Sequence, residues 1–123
     1  MSKEQLYIFD TTLRDGAQTQ GVDFSIDDKE KISKSLDTLG VDYVEGGWPG
    51  ANPTDTEFFN KDHNFKNTKL TAFGMTKKSE HSAKNDPMLS SLINSKCSSI
   101  CLFGKSWDFQ VDVALGITNE QNL

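Results

Sequence analysis

Apolar and polar residues come in alternating blocks along this chain, and the blocks read as strands and helices in turn. Residues 6–9, 41–44, 69–73 and 97–103 are short runs rich in aliphatic, aromatic or β-branched side chains, the mark of strands. The last run is apolar apart from Ser98 and Ser99 and reads as a parallel strand covered on both faces. Between the runs the period becomes helical. Ser25 opens a helix with Asp28 as its capping-box acid, and Gly40 ends it as a left-handed cap. Ile26, Ile32, Leu36 and Leu39 form its apolar stripe, while Lys29, Glu30, Lys31 and Lys34 are expected to face water, Lys29 in a structural or solvated role. Asn52 and Pro53 start a second helix as N-cap and first helical residue, with Phe58 and Phe59 as anchors. Pro87 starts a third, carrying Leu89, Leu92 and Ile93, and Thr118-Asn119-Glu120-Gln121 announces another. The polar stretch 60–68 is a loop in which His63 is expected to be solvated. The charged stretch 77–86, with Lys77, Lys78, His81 and Lys84, reads as a solvated face more readily than as a grip on an anionic coenzyme tail.

The order βαβαβαβ plus a helix start is that of parallel strands joined by crossover helices. It fits either part of a (β/α)8 barrel or a small doubly wound sheet. A closed barrel needs roughly 250 residues, so a chain of 123 supplies about four βα units. One partial domain over residues 1–123, stopping at the start of the fourth helix, is the organisation expected.

Charge and cysteine content narrow the function classes. A net charge of -5 with no basic stripe argues against nucleic acid as partner. No apolar run approaches the length of a membrane span, and the opening Met-Ser-Lys-Glu-Gln lacks the signal-peptide pattern, so a cytoplasmic protein is expected. Cys97 and Cys101 fall on one face of the last predicted strand and are expected as buried free thiols, not a disulfide or zinc site.

Candidate chemistry gathers where the first strand ends. Asp10-Thr11-Thr12-Leu13-Arg14-Asp15-Gly16 places a fixed cation beside a carboxylate on a sharp turn. Asp15 is a hard oxygen donor suited to a divalent metal, and Arg14 can stabilise a developing oxyanion. A surface Arg–Asp pair of no consequence has the same look. At the end of the second strand stands Glu45, able to touch substrate or to orient Arg14, followed by Gly46-Gly47-Trp48-Pro49-Gly50. Trp48 reads as a core residue or as an apolar wall of the site. Gly104-Lys105-Ser106 is no phosphate loop, because the glycine required five positions earlier is Ser99. It reads instead as the mouth of the fourth strand. Trp107, Phe109, Val111, Val113 and Leu115 are expected to cover that end.

Leu13-Arg14-Asp15-Gly16-Ala17-Gln18, ten residues and then Lys29 resembles the signature of the isopropylmalate, homocitrate and citramalate synthases. The resemblance continues through Tyr43-Val44-Glu45-Gly46-Gly47-Trp48-Pro49-Gly50 and Phe103-Gly104-Lys105-Ser106-Trp107-Asp108, and its Glu-Gly-Gly-Trp-Pro-Gly form is most similar to the citramalate branch. It implies the first part of a metal-dependent TIM barrel that condenses a 2-oxo acid, pyruvate, with acetyl-CoA in branched-chain amino-acid biosynthesis. It also implies a divalent metal (Mg, Mn or Zn) with Asp15 as one ligand, and Arg14 and Glu45 as catalytic residues. Gln18, Phe73, Phe103 and Lys105 would join Arg14 around the substrate, and the full-length protein would be a homodimer. The family's His-x-His metal ligands do not occur in these 123 residues, nor can the catalytic base be assigned in them. The chain alone is therefore expected to be inactive and to bind metal weakly at most. A lyase or carboxyltransferase relative, or a self-associating half-barrel without activity, are the competing readings.

Overall fold

The computed structural model describes residues 3–123; Met1 and Ser2, the first of the opening stretch, lie outside them. Four parallel strands form one sheet: β1 (Phe9–Asp10), β2 (Tyr43–Gly47), β3 (Lys69–Met75) and β4 (Ser99–Phe103). They lie in the order β1-β2-β3-β4. Doubly wound sheets reverse direction partway across, whereas a barrel wall runs in sequence. The order therefore selects the partial barrel.

One helix joins each strand to the next, and each begins where its sequence can satisfy the first free N–H groups. Helix α1 (Ile26–Leu39) opens with a reciprocal capping box between Ser25 and Asp28 and stops at Gly40, whose φ of 85° suits the left-handed cap. Helix α2 (Pro53–Asn60) has Asn52 as its cap, accepting from the Asp55 N–H. Helix α3 (Pro87–Asn94) has Asp86, which accepts from the N–H groups of Met88 and Leu89. Beyond β4 come a short α4 (Asp108–Gln110), a π-helical turn (Val111–Leu115) and α5 (Asn119–Asn122), the last with the expected capping box at Thr118 and Gln121.

The core lies between sheet and helices. Leu13, Val41, Val44, Phe58, Phe59, Leu70, Ala72 and Leu92 are buried there, with Phe24, Ile32, Leu36 and Leu89 packed against them. Phe58 and Phe59 cross edge to face and are fully enclosed, each stabilising the fold by about 1.5–3 kcal/mol. They approach closely because Gly46 has no side chain: a Cβ there would lie 2.8 Å from Phe58 Cε1 and 2.9 Å from Leu70 Cδ1. At the same glycine the β2–β3 register slips, Glu45 pairing with Thr71 but Gly47 with Ala72, a bulge just past the buried Glu45.

Several expectations need correction. Lys29 does not face water but is buried, whereas Leu39 of the supposed apolar stripe is 77 % exposed in the last turn of α1. His63 is half-buried, its ring stacked on Phe65 and lying against Phe58, with Nε2–H donating to the Phe58 carbonyl at 2.7 Å. It closes the end of α2. The apolar run at residues 97–103 is not covered on both sides: Ile100, Leu102 and Phe103 are exposed, and β4 lies at the edge of the sheet, paired only with β3 among the described residues. Cys97 precedes that strand, and both thiols are free but only half-buried. Of the residues expected to cover the mouth of β4, only Val111 is buried. Trp107 and Phe109 lean on each other at 5.0 Å and stay exposed.

Candidate active site

The turn after β1 is built on two acceptors. The Thr11 carbonyl takes the N–H groups of Arg14, Asp15 and Gly16, while the Asp10 carboxylate takes the N–H and hydroxyl of Thr12. Leu13 plugs into the core, and the chain returns Arg14 over the ends of the strands. There Arg14 Nε donates to Glu45 Oε2 at 2.7 Å, and Nη1 lies 3.2 Å from Asp15 Oδ1. The guanidinium also sits 4.2 Å above the Phe73 ring. Glu45 is 1 % exposed and would be costly to bury as a carboxylate without this partner. Its contact with Nε is the geometry that the orienting role requires. The Cys101 thiol, on β4, is pushed up from its ordinary pKa, first by burial and then by the negative charge of Glu45.

Aromatic rings continue the floor. Trp48 meets Phe73 edge to face at 5.4 Å, and Phe73 meets Phe103 at 6.4 Å. Lys105 follows Phe103, with Nζ 5.3 Å from that ring. Arg14, Gln18 and Trp48 line a cleft of about 390 Å³ together with Phe24, Asn52 and Thr54. The structure thus brings Arg14, Glu45, Phe73 and Trp48 together and sets Gln18 on the same cleft. Phe103 joins through Phe73; neither ring, nor Glu45, Lys105 or Asp15, is part of the cleft lining. Among the described residues Asp15, with its side chain 62 % exposed, is held only by Arg14. The stretch 77–86 is the solvated face expected, apart from Asp86, which is buried as the cap of α3, and His81, which is half-buried with Nδ1 3.6 Å from the Asp86 carboxylate.

The sequence reading missed a second ion pair under the cleft. Lys29 Nζ donates to the Leu13 carbonyl at 2.9 Å, to the Gly46 carbonyl at 2.8 Å and to Asp55 Oδ1 at 2.5 Å. All three ammonium protons are used. Asp55 Oδ2 in turn accepts from the Trp48 N–H and from Asn52 Nδ2. A side chain at Gly47 would collide with the Asp55 carboxylate, so the glycine pair exists to let α2 close on the strand end. That glycine pair, with a lysine belonging to the motif yet placed on a helix, was the available signal.

The donors for a metal are incomplete. Among the described residues no group of three or more His, Cys, Asp or Glu side chains is placed to hold an ion. Asp15 is a single carboxylate already shared with Arg14, so these residues do not by themselves fit a divalent metal.

Known proteins resemble the chain along its length. It is 52 % identical over 122 residues to the (R)-citramalate synthase of Aquifex aeolicus (strain VF5), covering 98 % of this chain and 23 % of that protein. To the (R)-citramalate synthase of Sulfolobus acidocaldarius it is 48 % identical, covering 100 % of this chain and 24 % of the relative. The 2-isopropylmalate synthase of the same organism is 32 % identical, with 100 % and 30 % covered. The chain spans about a quarter of the length of these relatives. Residues 5–122 match the HMGL-like family, and with its sequential parallel sheet and the Arg14–Glu45 pair at the strand ends, the chain belongs to that family.

Proposed function

We propose that the protein carrying this chain condenses pyruvate with acetyl-CoA to give citramalate. The observation that carries the reading is the Arg14 guanidinium, fixed by Glu45 and Phe73 at the ends of parallel strands beside an aromatic-walled cleft. Curated relatives of that name, 48–52 % identical across the chain, support it.

The reaction joins the acetyl methyl carbon to C2 of the 2-oxo acid. A base removes a methyl proton, the carbon attacks the ketone, and the C=O electron pair becomes an alkoxide that is then protonated. Water hydrolyses the thioester and releases coenzyme A. Arg14 acts where charge develops. Nε and Nη1 are engaged by Glu45 and Asp15, and among the described residues Nη2 has no partner, so it is the donor offered to the ketone oxygen. Because its positive charge is already oriented, little reorganisation is needed as the alkoxide forms. Glu45 keeps that orientation. Phe73 and Trp48 exclude water from one side, and Gln18 offers an amide to the substrate carboxylate. Phe103 and Lys105 extend the site along β4, the ammonium meeting a carboxylate or a coenzyme phosphate. Asp15 is the one ligand this segment would give a divalent metal, whose chemistry would be to polarise the ketone.

The test is a steady-state assay of the whole protein with acetyl-CoA and a series of 2-oxo acids, following free thiol. Thiol release that depends on pyruvate and yields citramalate is expected. Cleavage of a hydroxyacyl-CoA without such release would replace the synthase reading with a lyase.

A further inference from the structure

We propose that Lys29 is a positioning residue for the reaction, its buried ammonium setting where Arg14 and Glu45 stand relative to each other. The inference rests on the synthase reading and adds a residue to it. Arg14 follows Leu13 and Glu45 precedes Gly46, and those two neighbours are the ones whose carbonyls Lys29 grips, at 2.9 and 2.8 Å. One charged atom therefore fixes the spacing of two backbone stretches that are more than thirty positions apart in sequence, as the Arg14–Glu45 contact is. The third proton, given to Asp55, fixes the direction of the ammonium, and Asp55 is itself locked by the Trp48 N–H and Asn52. Lys29 enters from the first turn of α1, whose rotation is set by the Ser25–Asp28 capping box.

Stability alone does not explain such a group. A buried ion pair commonly adds nothing over packed apolar residues, although removing one partner leaves the other stranded. What a lysine supplies here, and a hydrocarbon cannot, is three directed donors at one point. Two of them act on backbone that carries the reacting guanidinium and its carboxylate. A shift of about 1 Å in such a pair can cost on the order of 100-fold in rate.

The experiment uses the whole protein and three variants: Lys29→Met, Lys29→Met with Asp55→Asn, and Lys29→Arg. Thermal midpoint, kcat, KM for both substrates and the crystallographic position of Arg14 are measured. The double change relieves the stranded carboxylate, so its midpoint is expected to recover most of what Lys29→Met loses. Its kcat is expected to stay roughly 100-fold down with KM for acetyl-CoA little changed, the signature of a misplaced group and not of unfolded enzyme. Lys29→Arg, which keeps the charge and a donor for each carbonyl, is expected to stay within about tenfold of wild type. Recovery of kcat together with the midpoint in the double variant would overturn the proposal. So would Lys29→Arg falling as far as Lys29→Met, a comparison that decides even if the double variant does not fold. Inactivity of the wild type toward pyruvate would sink the synthase reading instead. The structures would then decide for Lys29, since an Arg14–Glu45 contact unchanged without the lysine rules positioning out.

Discussion

Arg14 illustrates how a commonplace pair becomes a specific device. Next to Asp15 in sequence it looks like any surface neighbour, and such pairs contribute about 0–1 kcal/mol. What changes its standing is Glu45, buried 31 positions away in sequence and 2.7 Å away in space, together with the Phe73 ring beneath. A guanidinium can offer Nε to one carboxylate and keep other N–H groups for a second ligand, which an ammonium cannot reproduce. Arg14→Lys in the whole protein is therefore expected to lower kcat by about 10²–10³ while leaving the thermal midpoint within a few degrees. An equal kcat in the two proteins would remove Arg14 from the chemistry. Glu45→Gln, which keeps an acceptor but loses the charge, is expected to cost less than Arg14→Lys; the same assays rank the two.

At the scale of elements, local chemistry was legible and distant chemistry was not. Ser25 with Asp28, Gly40, Asn52 with Pro53 and Thr118 with Gln121 all act within a few residues of themselves, so their hydrogen bonds could be read from spacing alone. Lys29 could not. Its partners come from the β1 turn, the β2 end and α2, and helical period assigns it to the polar face. His63 was missed likewise, because it closes α2 only after Phe58 and Phe65 have packed. Gly46 tests this packing: Gly46→Ala would push a methyl into Phe58 and Leu70, at an expected cost of about 1–3 kcal/mol in chemical denaturation. Helix α3 carries a pH dependence of definite sign. The Asp86 carboxyl is held below its ordinary pKa, first by the Lys78 N–H, then by that of Leu89, with burial opposing and Met88 assisting. A lowered folded pKa means stability that is present above the unfolded value of about 3.9 and is lost as pH falls through the folded one. Unfolding midpoints should therefore drop below about pH 4 more steeply for the parent than for Asp86→Ala, whose own cost near neutrality is about 1 kcal/mol. Equal acid slopes in the two proteins would show that the cap contributes no titration.

For the whole molecule, the sheet itself predicts behaviour. Among the described residues, four parallel strands in sequential order leave β1 and β4 with one neighbour each, and Leu6, Tyr7 and Ile8 just before β1 and Ile100 and Leu102 on β4 are exposed. Uncovered edges of that kind pair with other chains. The 123-residue chain prepared alone is expected to self-associate in sedimentation velocity and to show no turnover of pyruvate with acetyl-CoA. A clean monomer, or measurable turnover, would contradict the respective half of that expectation. The barrel reading came from family resemblance and was then decided by strand order, something that alternation of strands and helices could not settle.

The two tryptophans divide the molecule optically. Trp48 is tucked edge-on against the ring that carries Arg14, whereas Trp107 is 58 % exposed beyond β4. Aqueous iodide should therefore dim the second and largely spare the first. Whatever enters the cleft must then register in the remaining emission, giving the protein a built-in gauge of occupancy that needs no label.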